Sequence, residues 1–244
     1  MTIFPLSEGS FTVDHSKKFI PFNVYQDDLQ HRPRGSLLVE IQPFAITTSR
    51  DILLLDTGLG FTESSGELQL HQNLAANGIA PGDVTRVLIS HLHRDHAGGI
   101  ALPSGKVPAF PHAKYYINRE EWAFAWSGRS SSYEPALFAC LKDSPQLVLT
   151  GDEGLLENYI HYEVTGAHAP HHQVFLVAEN GEKIFFGGDV APQLQQMKSR
   201  FKAKYDADGA RAMELRSMWW KQGEKEQWTF LFYHDIRYPI YRFG

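Results

Sequence analysis

The sequence predicts an α/β fold of four layers, with two β-sheets in the middle and helices covering them outside. Three observations carry that prediction: two hairpin patterns that each end in an aspartate, helical signals between and after them, and no linker-like run of Pro, Gly or Ser across the 244 residues, which reads as one domain over 1–244. In the first hairpin a β-rich run over 37–48 turns at Ser49-Arg50-Asp51 into Ile52-Leu53-Leu54-Leu55 and ends at Asp56-Thr57-Gly58. The second runs from Val174-Phe175-Leu176-Val177 to Asn180-Gly181, the strongest short hairpin signal, and returns through Ile184-Phe185-Phe186 to Gly187, Gly188 and Asp189. Leu70 and Leu74, four apart ahead of Gly78, predict one helix, and Asn118 with Glu121 predicts a capping box that opens another before Trp122. A third helix is expected over 207–222. There Ala212, Leu215, Met218 and Trp219 recur at three- and four-residue spacing, which would bury one face and leave Arg211 and Lys221 in water.

Hydrophobic residues at 43% and charged residues at 21% describe a soluble globular protein with ample apolar surface to bury. The formal net charge of −5 argues against broad nucleic-acid binding, although Lys198, Arg200, Lys202, Lys204 and Arg211 form a local basic stretch that reads as a solvated face. Cys140 is the single cysteine, in an apolar setting between Ala139 and Leu141, so a disulfide framework is excluded and a reducing, cytoplasmic location is expected. The opening MTIFPLSEGSF lacks a basic region followed by a long apolar one, and no run of about 18 apolar residues occurs, so neither an export signal nor a membrane partner is expected.

The chemistry concentrates in HLHRDHAGG, directly after the apolar Val87-Leu88-Ile89. His91, His93, Asp95 and His96 are ligand types that suit borderline divalent ions, and as mere packing each of them would need a buried partner of its own. Gly98 and Gly99 behind them let the backbone turn sharply. Four ligands in one run are too many for one tetrahedral ion, which predicts two metals and further ligands downstream. The candidates stand at strand ends and in small-residue loops: His168 in TGAHAPHH, Asp189 in FFGGDVAP and His234 in LFYHDIRYP.

The ordered set HLHRDH, TGAHAPHH, GGD and YHD, together with DTG at Asp56, resembles the metallo-β-lactamase fold superfamily of metal-dependent hydrolases over nearly the whole chain. That resemblance implies an αββα four-layer sandwich of two pseudo-symmetric halves. It also implies that His91, His93 and His168 bind one ion, that Asp95, His96 and His234 bind the other, and that Asp189 bridges them. The spacing and the late YHD are closer to the lactonase, arylsulfatase-like and organophosphate-hydrolase branches than to antibiotic-degrading lactamases. Two departures stand out. The usual G-H-x-P-G-H run is Ala167-His168-Ala169-Pro170-His171-His172 here, which leaves open whether His171 or His172 contributes to the site. Some lactonases of this superfamily carry a tyrosine three residues after the bridging aspartate, a position held by Pro192, so Tyr133 or Tyr205 would have to supply the hydroxyl. Asp56 reads as a group that orients the metal loop rather than a ligand, and Asp235 either hydrogen-bonds a ligand imidazole or caps a turn. His71, His112 and His161 read as surface or satisfied core histidines.

Two divalent ions about 3.5–4 Å apart, Zn2+ by default and Fe, Mn or Co with the same residues, can share a water and turn it into hydroxide at neutral pH. The expected function is hydrolysis of a small ester-type substrate, whether lactone, aryl ester, thioester or phosphotriester, by that bridging hydroxide. Asp95 is the expected catalytic carboxylate, holding and relaying the proton. The rivals are a phosphodiesterase acting on RNA or nucleotides and a sensor or binding module that keeps its metals for folding only. Trp122, Trp126 and Tyr133 in the aromatic segment 110–138, with Tyr205, are the candidate substrate-binding residues, and the aromatic-rich surface would support a homodimer.

Overall fold

Alternation of side chains along short strands divides this chain's apolar residues among three separate cores. The computed structural model describes residues 1–243. Its first part forms β1 (Thr2–Pro5), β2 (Gly9–Val13), β3 (Phe19–Pro21), β4 (Leu37–Ile41), β5 (Phe44–Thr47), β6 (Ile52–Leu55), α1 (Gln69–Ala75), β7 (Arg86–Leu88), α2 (Arg94–Ala97), β8 (Lys114–Asn118), α3 (Arg119–Ala125) and β9 (Leu147–Thr150). The second part forms β10 (Glu153–Leu156), β11 (Ile160–Val164), β12 (Gln173–Glu179), β13 (Glu182–Phe186), α4 (Leu194–Met197), α5 (Gly209–Glu226), β14 (Thr229–Leu231) and β15 (Ile240–Arg242). One six-stranded sheet has the order β1-β5-β6-β7-β8-β9, the other β10-β11-β12-β13-β14-β15, and β3-β2-β4 make a small third sheet.

In the central core Ile46, Leu53 and Leu55 from the first sheet meet Phe175, Val177, Ile184 and Phe186 from the second. Their neighbours in sequence point the other way. Ala45, Leu54 and Val87 pack outward on Leu70, Leu74 and Phe110, while Val174, Phe185 and Phe230 pack outward on Ala212 and Trp219 of α5. Two sheets separating three apolar interfaces make four layers, as the sequence predicts. Each sheet also repeats one motif. The hairpin β5–β6 leads through a helical crossover to β7, parallel to β6, and the hairpin β12–β13 leads through α4 and α5 to β14, parallel to β13. Asn180 and Gly181 close the second hairpin with φ of 52° and 82°, the left-handed pair that a two-residue turn of this hand requires. Among the described residues no helix is long and apolar enough to cross a membrane.

Three sequence expectations shift. The run 37–48 is two strands in different sheets, because Gln42-Pro43 separates β4, which pairs with β2, from β5, which pairs with β6. Asn118 caps α3 by accepting the N–H groups of Glu120 and Glu121, but the Glu121 side chain does not reach back to complete a capping box; it accepts the Leu92 N–H at 2.8 Å instead. Helix α5 begins behind an Asp208 cap and buries Ala212, Arg216, Trp219 and Gly223, leaving Met218 48% exposed. The buried stripe is rotated relative to the apolar one because α5 lies close against the sheet at Gly223, where an added Cβ would stand 2.4 Å from the Phe230 ring.

Gly223→Val should therefore push α5 off Phe230 and cost about 1–3 kcal/mol in urea unfolding, whereas Met218→Ala should stay within about 0.5 kcal/mol of the parent. The reverse ranking would mean that the stripe anticipated from the sequence is the buried one.

Candidate metal centre

Each predicted ligand stands just beyond a strand. His91 and His93 follow β7, Asp95 and His96 lie on α2 with His93 as its N-cap residue, His168 lies between β11 and β12, Asp189 follows β13, and His234 follows β14. The glycines behind HLHRDH serve close approach rather than a turn. Gly98 has an ordinary helical φ of −61°, but a Cβ there would stand 2.2 Å from the Leu59 carbonyl oxygen, and one on Gly99 would stand 2.3 Å from that of Thr57. Through this contact the Asp56 loop docks on the metal loop: the Thr57 N–H and hydroxyl both donate to the His96 carbonyl at 2.8 Å.

The donor atoms form overlapping groups. His91 Nε2 lies 2.9 Å, and His168 Nε2 3.3 Å, from His93 Nδ1. Asp189 Oδ1 lies 3.1 Å from His96 Nε2 and 3.0 Å from His234 Nε2, while its Oδ2 lies 3.3 Å from His168 Nε2. Asp95 Oδ2 completes the second group, 3.6 Å from both His96 and His234.

What the inner nitrogens offer is decided by the outer ones. His96 Nδ1 donates to Asp56 Oδ2 at 2.7 Å, His168 Nδ1 to Asp206 Oδ1 at 3.0 Å, and His234 Nδ1 to the Glu40 carbonyl at 2.7 Å. His91 Nδ1 donates to Ser90 Oγ at 3.0 Å, and the Ser90 hydroxyl proton goes on to Asp56 Oδ2 at 2.7 Å. With four Nδ1 protons held outward, four Nε2 lone pairs face inward. Burial holds His91 and His93 well below the ordinary imidazole range, which keeps their lone pairs free. Burial opposes charge on Asp189 too, yet the imidazoles of His234, His96 and His168 hold its carboxyl well below the usual carboxylate range. Burial likewise opposes charge on His96, but Asp189, Asp95 and Asp56 raise its proton affinity well above the ordinary value. The carboxylates that draw a proton to this ring draw a metal cation as well, and the two compete for one lone pair.

His96 Nε2 and Asp189 Oδ1 are both buried without a hydrogen-bond partner. Lone pairs so close repel unless a cation lies between them, and an ion with bonds of ~2.0–2.1 Å to tetrahedral ligands spaces those ligands about 3.3–3.4 Å apart. The donor set, five imidazoles and two carboxylates at these separations, fits divalent metal.

Asp56 is the hub of this arrangement. Fully buried and in the left-handed region at φ 57°, it accepts from the Ser90 N–H, the Ser90 hydroxyl and His96 Nδ1, so one carboxylate orients a histidine in each group. His172 is placed as a brace and not a ligand: its Nε2 accepts the Asp189 N–H at 3.1 Å, and its ring lies 4.9 Å from that of His91. His171 is half-buried beside Phe124. Asp235 caps, accepting the N–H groups of Leu194, Arg237 and Tyr238. His71 packs on Phe110, His112 bonds the Gly82 carbonyl and His161 is exposed on β11.

Of the four candidate substrate contacts, two face the centre. The Tyr133 ring lies 4.8 Å from that of His93, and the half-exposed Tyr205 ring 5.9 Å from that of His168. Trp122 and Trp126 turn elsewhere, packing on each other and on Phe138 at 5.5–5.8 Å, because α3 directs them into the outer layer. Ser90, Asp206 and Tyr233 support the site without having been expected from the sequence, and Glu121, expected only as a helix cap, holds the Leu92 N–H between two ligands. Tyr233 stacks on His96 at 4.1 Å and donates to the Asp95 carbonyl, and its place inside YHD could have signalled it. Asp206 carries no such signal, lying 38 residues from the histidine it orients.

A family model for the metallo-beta-lactamase superfamily matches residues 41–234. The chain is 28% identical over 147 residues to an atrochrysone carboxyl ACP thioesterase of Passalora fulva, a match covering 60% of this chain and 36% of that protein. The chain thus spans little more than a third of that relative's length. A probable metal-dependent hydrolase from Staphylococcus aureus superposes with a TM-score of 0.83 at 21% identity, over 100% of this chain and 92% of that one. AidC, a dizinc quorum-quenching lactonase in complex with a product, superposes with a TM-score of 0.74 at 20% identity, over 98% and 88%.

Asp56→Asn replaces the acceptor shared by Ser90 and His96 and should weaken metal binding by about 10–100-fold in competition with a chelator. Undiminished affinity would show that Asp56 does not orient the ligands. Burial pushes the Glu121 carboxyl up to about 7, while the unfolded chain releases that proton near 4.5. The folded state holds the proton longer, so stability should fall as pH rises across that window and level off above it. Glu121→Gln, which keeps an acceptor for the Leu92 N–H, should remove this decline and be more stable than the parent at pH 8 by on the order of 2 kcal/mol. Parallel stability curves for the two chains would show that Glu121 is ionised throughout.

Proposed function

Because the chain belongs to the metallo-beta-lactamase superfamily, we propose that it is a hydrolase of small ester-type substrates that works with two divalent metal ions, zinc by default. One observation carries this reading: Asp189 turns Oδ1 toward His96 and His234 and Oδ2 toward His168, so a single carboxylate is shared between two groups of imidazoles. His91, His93 and His168 would hold one ion and Asp95, His96 and His234 the other, with Asp189 common to both. Bound there, the ions would lower the pKa of the hydrolytic water toward neutrality and polarise the ester oxygen.

The chain's own residues supply the rest. Asp56, Asp206 and the Glu40 carbonyl fix the rings before substrate arrives, which avoids reorganisation during the reaction. Asp95 is 12% exposed at its side chain and stands beside the shared site, where its carboxylate can take a proton from the attacking water and return it to the leaving oxygen or sulfur. Tyr133 walls one side, with its hydroxyl buried toward Glu121 rather than toward substrate, so its contribution is ring surface. Tyr205, half-exposed beside His168, is the tyrosine available to touch the substrate. The Passalora fulva relative is a thioesterase and AidC is a lactonase, which supports an ester-type substrate here.

Asp189→Ala should bind fewer metal ions per chain, counted by elemental analysis, and should lose at least about 100-fold in kcat/KM on whichever substrate is turned over among p-nitrophenyl esters, lactones, thioesters and a paraoxon-like triester. Full metal content with parental turnover would sink the shared-carboxylate scheme, and exclusive turnover of bis-p-nitrophenyl phosphate would redirect it to phosphodiesters.

A further inference from the structure

The basic stretch at 198–211 is bound to the metal centre on one side and bare on the other. The Ala207 N–H donates to the His168 carbonyl at 3.1 Å, the Asp208 N–H to the Ala167 carbonyl at 2.8 Å, and Asp206 orients His168 itself. From α5 the buried Arg216 donates to the Phe201 carbonyl and, at 2.8 Å, to that of Val190, one residue beyond Asp189. These bonds make the segment a fixed rim of the site. On its outer face Arg200, Lys202 and Lys204 are exposed, and among the described residues none of them has an ion-pair partner. The two acids within the stretch are already engaged, Asp206 with His168 and Asp208 with the first N–H groups of α5. Lys198 sits over the rings of Trp220 and Tyr241, 5.3 and 4.8 Å from their centroids, and not against a carboxylate.

Uncompensated cations on the segment that orients His168, in a chain of net charge −5, concentrate positive potential on that side of the metal site. A second feature continues the rim. A recess of about 870 Å3 opens beside Arg200 and runs along the flank of α5, walled by Met197, Met213 and Met218 and edged by Lys221 and Lys225, with Glu214 and Glu226 also in its lining; Glu226 is held by Lys183, which leaves Lys198, Arg200, Lys221 and Lys225 facing the one carboxylate of Glu214. Thioether side chains adapt to a flat ring, and amines along the edge suit phosphate.

We propose that this rim and recess bind the phosphate-bearing end of the substrate's leaving group, so that the substrate is an acyl thioester of a nucleotide-bearing thiol of the coenzyme A kind. The inference rests on the hydrolase reading and narrows its substrate class. In the reaction water adds its oxygen to the acyl carbon, the C–S bond breaks, and the thiolate takes up a proton from that water to leave as the free thiol. Binding energy from the distant phosphates would place the thioester carbon at the metals without any contact to the reacting atoms.

Two measurements test it. Adenosine 3′,5′-bisphosphate, which has neither thiol nor acyl group, should bind to the protein in calorimetry, weaken as salt rises from about 20 to 300 mM, and weaken about tenfold in K202Q/K204Q. Hexanoyl-coenzyme A should be hydrolysed with a higher kcat/KM than hexanoyl-N-acetylcysteamine, and that ratio should fall about tenfold in K202Q/K204Q, further in K202E/K204E, and recover in K202R/K204R. No binding of the bisphosphate, or a ratio of one that ignores salt and charge, overturns the proposal while leaving the hydrolase intact. Bisphosphate bound as described but every ester inert with metals loaded overturns the hydrolase reading and the thioester assignment with it. A salt-sensitive preference for the same acyl group on an acidic carrier protein, without preference for coenzyme A, overturns the nucleotide in favour of a protein partner.

Discussion

Ring nitrogens whose lone pairs point at one another across about 3 Å inside a protein need a cation between them, and most of this structure answers to that requirement. His91, His93 and His168 could hydrogen-bond among themselves only if one of them turned its proton inward. For His91 and His168 the outer acceptors forbid it. Asp206 and the Ser90–Asp56 pair hold the Nδ1 protons of His168 and His91 outside, and Asp56 and the Glu40 carbonyl do the same for His96 and His234. In the metal-free chain the site is therefore loaded against itself, with carboxylates drawing protons onto His96 and His234 while burial keeps His91 and His93 neutral. Divalent ions held by these residues would relieve that conflict, and metal binding would then be coupled to the stability of the surrounding loops.

The two halves of the sandwich meet this requirement in different ways from one plan. Each sends a hairpin into an aspartate, crosses over, and returns by a parallel strand into histidines. In the first half Asp56 follows β6 directly and remains beneath the centre, accepting from Ser90 and His96. In the second, Gly187 and Gly188 carry the chain two residues further before Asp189, which reaches the imidazoles themselves. Gly188 is confined there, with φ at 48° and His172 Nε2 only 2.6 Å from where a Cβ would stand. A side chain at that position would displace the ring that accepts the Asp189 N–H. The extra glycine pair thus turns a supporting carboxylate into a shared one.

This division explains what was legible in the sequence. The four layers could be read because alternation in Leu53-Leu54-Leu55 and Ile184-Phe185-Phe186 is a local property of the pleat, and Asn180-Gly181 fixes its own turn. His91, His93, Asp95 and His96 could be read because four ligand types within six residues need a common cause. The supporting groups could not. Glu40 acts through its carbonyl, which every residue has, and Glu121 looks from the sequence like a helix cap while its carboxylate holds Leu92 between two ligands. Aromatic content alone placed Trp122 and Trp126 beside the metals, whereas their orientation on α3, set by packing against Phe138, turns them away.

Residues 205 and 206 both meet His168, one from within and one from the surface. Asp206 faces inward and holds His168 Nδ1, and the next residue outward, Tyr205, lays its ring against that histidine while remaining 43% exposed. On the same stretch the Arg216 guanidinium ties Phe201 to Val190, beside Asp189. The segment that orients His168 and the loop that carries Asp189 are thus fastened to one another through a single buried side chain. Buried arginine is costly to desolvate, and this one has only carbonyls and the nearby Asp206 to compensate it. An apolar residue of similar size would pack α5 against the sheet, but it would lack the two bonds by which Arg216 ties the Phe201 and Val190 carbonyls to that helix.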